Sequence, residues 1–211
     1  MGGISALGVL GTGVVTALTI AIGAGAGPER AAGGTIVGVA TTKETAPKAV
    51  RVTIDPGICG QAVPDDSIVV DASGHLSNVV VTIPGVKVQH PAEASFVNDK
   101  CRFVPHMAFM RPNGAVKMTS KDATLHTMHA AGEGGRAFFN ISIPVPNMTL
   151  SRPVDKAGVV TLSCSTHTWM RGYLLVSEEL SVSTGAESSA DYRARTALKL
   201  NSIESLQAVL I

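Results

Sequence analysis

Val159-Val-Thr-Leu-Ser-Cys164-Ser-Thr-His167-Thr-Trp-Met170-Arg-Gly172-Tyr-Leu-Leu-Val-Ser177 reads as a strand, a short loop and a second strand. The flanks are β-branched and aliphatic, as strands favour, and the loop between them is short and polar. Within that loop a thiol, an imidazole and a thioether fall inside seven residues, Cys164 to Met170. About forty residues upstream, Leu125-His126-Thr-Met-His129 supplies further imidazoles. Thiolate, imidazole and thioether together form a soft donor set, and few needs other than a transition metal place them so closely.

The runs outside this loop are of the same kind. Thr35-Ile-Val-Gly-Val, Val50-Arg-Val-Thr-Ile54, Ser67-Ile-Val-Val70 and Asn78-Val-Val-Val-Thr-Ile83 are short β-type segments. Pro112-Asn113-Gly114 signals a turn before Ala115-Val-Lys-Met-Thr119, and Arg136 to Ser142 is another run. Many short strands with regular turn signals, and no helical period before residue 178, predict an all-β chain folded as an antiparallel Greek-key β-sandwich over residues 34–177. In the tail 178–211, Ala194, Ala197, Leu198, Ile203, Leu206, Val209 and Leu210 recur at roughly helical spacing, which predicts a short C-terminal helix.

Residues 1–26 are nearly free of charge and end in Ala24-Gly25-Ala26, so they read as an export signal or a membrane anchor, with 27–33 as a linker. Export places the protein in the periplasm or outside the cell. The three cysteines agree: Cys59 and Cys101 can pair as a disulfide in an oxidising compartment, which leaves Cys164 as a lone thiol. Of 211 residues 45% are apolar and 16% charged, enough for a packed core, and the net charge of +1 without a basic run argues against nucleic-acid binding.

Copper cycling between two oxidation states needs imidazole, which suits both, and thiolate and thioether, which suit the cuprous ion. The C-x2-H-x2-M loop followed by a Gly-Tyr strand resembles the cupredoxins, with the spacing of amicyanin, and His126-Thr-Met-His129 is similar to their His-Asn-Val-His element. Cys101-Arg-Phe-Val-Pro-His106, preceded by Ile54-Asp-Pro-Gly-Ile-Cys-Gly60, is similar to secreted bacterial plastocyanin-like proteins. The resemblance implies a type 1 copper ion held by His126, Cys164, His167 and Met170. It also implies that His167 is the more exposed imidazole and the exit port for the electron. Cupredoxins usually carry Asn six residues before the first His; this chain has Ser120, whose hydroxyl can make one hydrogen bond.

The expected function is an exported, monomeric carrier of single electrons between redox protein partners, with copper delivery as the alternative. A multicopper enzyme is disfavoured, because Ser163 and Ser165, not histidines, flank Cys164. His129 reads as a neighbour of the site, His106, His75 and His90 as rim or surface groups, Trp169 as a shield and the methionines as core filler.

Overall fold

The computed structural model describes residues 15–22, 36–184 and 207–210. In chain order its strands begin with β1 (Val15–Ile22), β2 (Ile36–Thr42), β3 (Val50–Arg51), β4 (Ala62–Val63), β5 (Val79–Lys87), β6 (Glu93–Asn98), β7 (Phe103–Val104) and β8 (Met107–Met110). They continue with β9 (Gly114–Ser120), β10 (His126–Gly132), β11 (Ala137–Ile143), β12 (Thr149–Val154), β13 (Gly158–Ser163), β14 (Arg171–Val176), β15 (Glu179–Ser183) and β16 (Gln207–Leu210). The chain divides into two compact units.

The larger unit, 47–66 with 87–178, is the all-β sandwich expected from the sequence. One sheet has the order β11-β10-β13-β14-β8 and the other β12-β9-β6-β7. Most pairs are antiparallel, but β14 with β8 and β6 with β9 run parallel, so each sheet contains one crossover. Strand alternation sends Met128 and Ala130 of β10, Val160 and Leu162 of β13, Leu174 and Val176 of β14, and Val116 and Met118 of β9 into one core. Burying a Met, Val or Leu side chain of this kind contributes about 1.5–3 kcal/mol. Met110, Met118 and Met128 are fully buried, as core filler should be. The same alternation makes Cys164 the next inward position after Leu162 and His126 the first inward position of β10.

The smaller unit takes 1–46, 67–86 and 179–211. In it Ser67–Val86 groups with β2 and β15. There Ala40, Leu76 and Val79 pack with Ile68, Val70 and Val81 into their own cluster. Ser67–Val70, expected as a strand, contributes only an isolated bridge, Val70 to Leu76. Of the expected export segment only Val15–Ile22 is described, paired antiparallel with β2; the rest, and the linker 27–33, lie outside the described residues. Among the described residues no helix is long and apolar enough to cross a membrane. The described parts of the tail are strands, with β16 paired to β5, because strand pairing overrides helical spacing there; 185–206 lie outside the described residues.

Strands missed by the sequence reading have weak local signals. β12 contains Pro153 and sits on a sheet edge, where a missing N–H is tolerated. β6 turns Ala94, Phe96 and Asn98 inward, so a polar residue hides its alternation. His90 is buried and stacks on Phe109 rather than lying at the surface.

His106 lies beside Asp66 and Arg102, edge-on to Tyr173, and neither ring nitrogen has a hydrogen-bond partner. Burial lowers its pKa and the Arg102 charge adds to that, while Asp66 works in the opposite sense. The folded state therefore binds this proton less tightly than the unfolded chain. Its contribution to stability is full above the ordinary imidazole pKa of about 6.5 and is lost as pH falls below it. His106→Phe should make the drop in urea-unfolding free energy between about pH 7.5 and 5.5 shallower than in the wild type; equal slopes would show that His106 does not carry it.

Candidate metal centre

His126, Cys164 and His167 meet at one end of the sandwich, with one donor atom of each within 4.8 Å of the others, all three buried. The β10–β13 register, in which His129 faces Ser163, sets Met128 opposite Cys164 and His126 one inward position beyond it, at the same end. The rings of His126 and His167 are 4.7 Å apart. Cys164 Sγ lies 3.8 Å from His167 Nδ1. Met170 is buried on the same loop, and its amide donates to the His167 carbonyl at 2.9 Å, closing the turn that carries both side chains.

Two carboxylates fix the imidazoles, and neither was singled out from the sequence. Asp122 Oδ2 lies 2.9 Å from His126 Nε2, in the interior. Asp55 Oδ2 lies 3.2 Å from His167 Nε2. A carboxylate at Nε2 keeps the proton there and leaves the Nδ1 lone pair free. His126 Nδ1 is buried with no hydrogen-bond partner in the protein. A buried donor-acceptor atom left so is costly, about 1–3 kcal/mol, unless something binds it.

Asp55 sits in the left-handed region at φ 53° and opens a single helical turn, Pro56–Cys59. Its carbonyl accepts from Ile58 and Cys59 at 2.9 Å, and its carboxylate accepts from the Thr124 hydroxyl. The Thr124 hydroxyl and the His167 ring hold the Asp55 carboxyl below its ordinary pKa against partial desolvation. Cys59 of this turn forms a disulfide with Cys101, and the disulfide sulfurs lie within 4.8 Å of a His167 ring nitrogen. Trp169 packs edge-on to His167 and donates from Nε1 to the Cys101 carbonyl, consistent with a shielding role. His167 consequently has 0% exposure. The expected exposed port is corrected: the Asp55 turn and Trp169 pack against this ring. Asp-Pro-Gly before a cysteine signals a tight turn, but nothing in the local sequence shows what the turn packs on.

The Cys164 sulfur accepts from the Thr127 amide at 3.4 Å, the Thr127 hydroxyl at 3.6 Å and the His167 amide at 3.4 Å. Burial opposes the thiolate, but the His167 and Thr127 donors, beside the His126 ring, outweigh it and bring the thiol from 9.0 to about 5. Thr127 Oγ1 also accepts from the Ser165 amide at 2.7 Å, fastening the loop to β10. Ser120 instead bonds locally with the backbone of Asp122. His129 lies three residues further along β10, on the face opposite His126, paired with Asn140 and Ser163.

This donor set suits a soft, redox-active ion. Imidazole nitrogen and thiolate bind a first-row ion at about 2.0 and 2.3 Å, and the 3.8 Å between His167 Nδ1 and Cys164 Sγ accommodates both bonds at an open angle. The unpartnered Nδ1 of His126 and the acidified thiol fit the same ion.

No protein-family model matches the chain, and no curated protein matches it. Among solved structures, amicyanin from Paracoccus versutus aligns at 16% identity over 46% of this chain and 97% of its own, with a TM-score of 0.36. A purple cupredoxin from Nitrosopumilus maritimus aligns at 19% identity over 40% of this chain and 99% of its own, with a TM-score of 0.36. A copper-containing nitrite reductase from Thermus scotoductus aligns at 19% identity over 46% of this chain and 25% of its own, with a TM-score of 0.35. These likenesses concern the β-fold.

Asp122→Ala should destabilise the metal-free protein by about 2–3 kcal/mol, because it strips the buried His126 ring and the amides of Lys100 and Cys101 of their acceptor. Urea unfolding measures it; a loss under about 0.5 kcal/mol would mean that water replaces the carboxylate.

Proposed function

We propose that this chain is an exported one-electron carrier that holds a single type 1 copper ion through His126 Nδ1, His167 Nδ1 and Cys164 Sγ, with the Met170 thioether as the weak axial donor. The observation that carries the reading is the buried, unpartnered Nδ1 of His126 beside a thiol already biased to thiolate. Copper would supply a one-electron couple with a thiolate charge-transfer band. The protein supplies the rest. Asp122 and Asp55 hold both rings in the tautomer that frees Nδ1. Thr127 and the His167 amide hold the sulfur in place through donors that need not move when its charge changes. Burial of all four side chains limits water, so little need rearrange when an electron arrives.

Redox proteins are the proposed partners, and the periplasm or exterior the proposed location. The Cys59–Cys101 disulfide supports that location, because disulfides persist in oxidising compartments. Complete burial of both histidines disfavours delivery, which requires the metal to be handed over readily.

Added Cu(II) should produce an intense visible band and narrow copper hyperfine splitting, both lost in Cys164→Ala while the fold remains. A colourless wild type, or a variant that keeps the colour, would overturn the ligand set. Met170→Leu should raise the reduction potential, since it removes a donor to Cu(II); an unchanged or lowered potential would remove Met170 from the site.

A further inference from the structure

We infer that Asp55 is a positioning residue that makes His167 a permanently sealed ligand, and that its charge favours the oxidised over the reduced metal. This rests on the copper reading above and deepens it.

Three observations on one turn carry it. First, Asp55 reaches His167 Nε2 at 3.2 Å while keeping 36% of its own side chain exposed, so it covers the Nε2 edge of the ring on the solvent side. Second, the carboxylate is not free to swing away. Thr124 donates to the same oxygen, and the Asp55 backbone is locked by two amides of the turn it begins. Third, the turn is itself tethered, because Cys59 is disulfide-bonded to Cys101, whose amide is held by Asp122 and whose carbonyl is held by Trp169. The two carboxylates behind the imidazoles are thus linked through the Cys59–Cys101 disulfide and the Cys101–Asp122 hydrogen bond.

The electrostatic consequence follows from the charge alone. A carboxylate accepting from Nε2 raises the basicity of the imidazole at Nδ1, and a negative charge this near favours the more highly charged ion. Partial exposure screens Asp55, so its effect is smaller than that of a fully buried carboxylate. The steric consequence is separate. With Nε2 occupied and the ring enclosed, His167 cannot rotate out to meet water or a chelator without breaking the Asp55 contact.

The two consequences separate in two variants. Asp55→Asn keeps an acceptor at Nε2 and removes the charge; Asp55→Ala removes both. Wild type and variants are loaded with copper, and three quantities are read: midpoint potential, rate of Cu(I) transfer to bicinchoninate, and urea stability of the metal-free form. The expected result for Asp55→Asn is a tenfold fall in the ratio of Cu(II) to Cu(I) affinity, a rise of about 59 mV for one electron, with transfer unchanged. Asp55→Ala should show the same rise and transfer at least tenfold faster. If Asp55→Ala does not fold, Asp55→Asn decides on potential alone. Blue wild-type protein with both variants at its potential and transfer rate would overturn this inference and leave the copper reading standing. Wild type without the charge-transfer band would overturn both.

Discussion

The Asp122 carboxylate is the contact on which the site depends. Lys100 and Cys101 both adopt left-handed backbone, at φ 50° and 54°, a conformation that costs roughly 1–2 kcal/mol for each non-glycine residue. The strained pair turns both amides toward Asp122, at 2.7 and 2.9 Å. Charge-assisted hydrogen bonds of this kind are about twice as strong as neutral ones, which offsets the strain. The same carboxylate then holds His126. One buried anion therefore sets the shape of the turn that bears Cys101 and the orientation of the His126 ring.

From that anchor the remaining order propagates through short, local links. Cys101 passes it to Cys59 through the disulfide, and Cys59 to Asp55 through one helical turn. Asp55 then fixes His167, and Trp169 returns the chain of contacts to the Cys101 carbonyl. Thr127 supplies a second, independent fastening between β10 and the loop. The two histidines are held alike but in unlike settings: the interior carboxylate behind His126 is nearly free of solvent screening, and the one behind His167 is not.

The sandwich and the side chains of its loop were legible because both depend on short-range patterns: period-two alternation, turn residues, and Cys, His and Met packed close in sequence. His126 was legible through the short motif His126-Thr-Met-His129. Asp122 lies only four residues from His126, yet acidic residues are common in turns and nothing marked this one as buried. Asp55 is further from reach, since it meets His167 across 112 residues and only the folded chain brings them together. Ser120 stands where cupredoxins usually carry an asparagine, and here Thr127, given no role from the sequence, fastens the loop.

The linear order of the three cysteines has a bearing on how the molecule is assembled. A chain that emerges N-terminus first presents Cys59, then Cys101 forty-two residues later, and Cys164 only after most of the sandwich sequence has appeared. The two that must join are therefore both available before the one that must stay free. Asp122 and β9 also emerge ahead of Cys164, so the pieces that hold Cys101 can be in place when the third thiol arrives. Had the ligand thiol come first in the chain, it would have competed for either partner during synthesis. The order of residues thus protects the odd thiol from mispairing in time, as the core protects it in space.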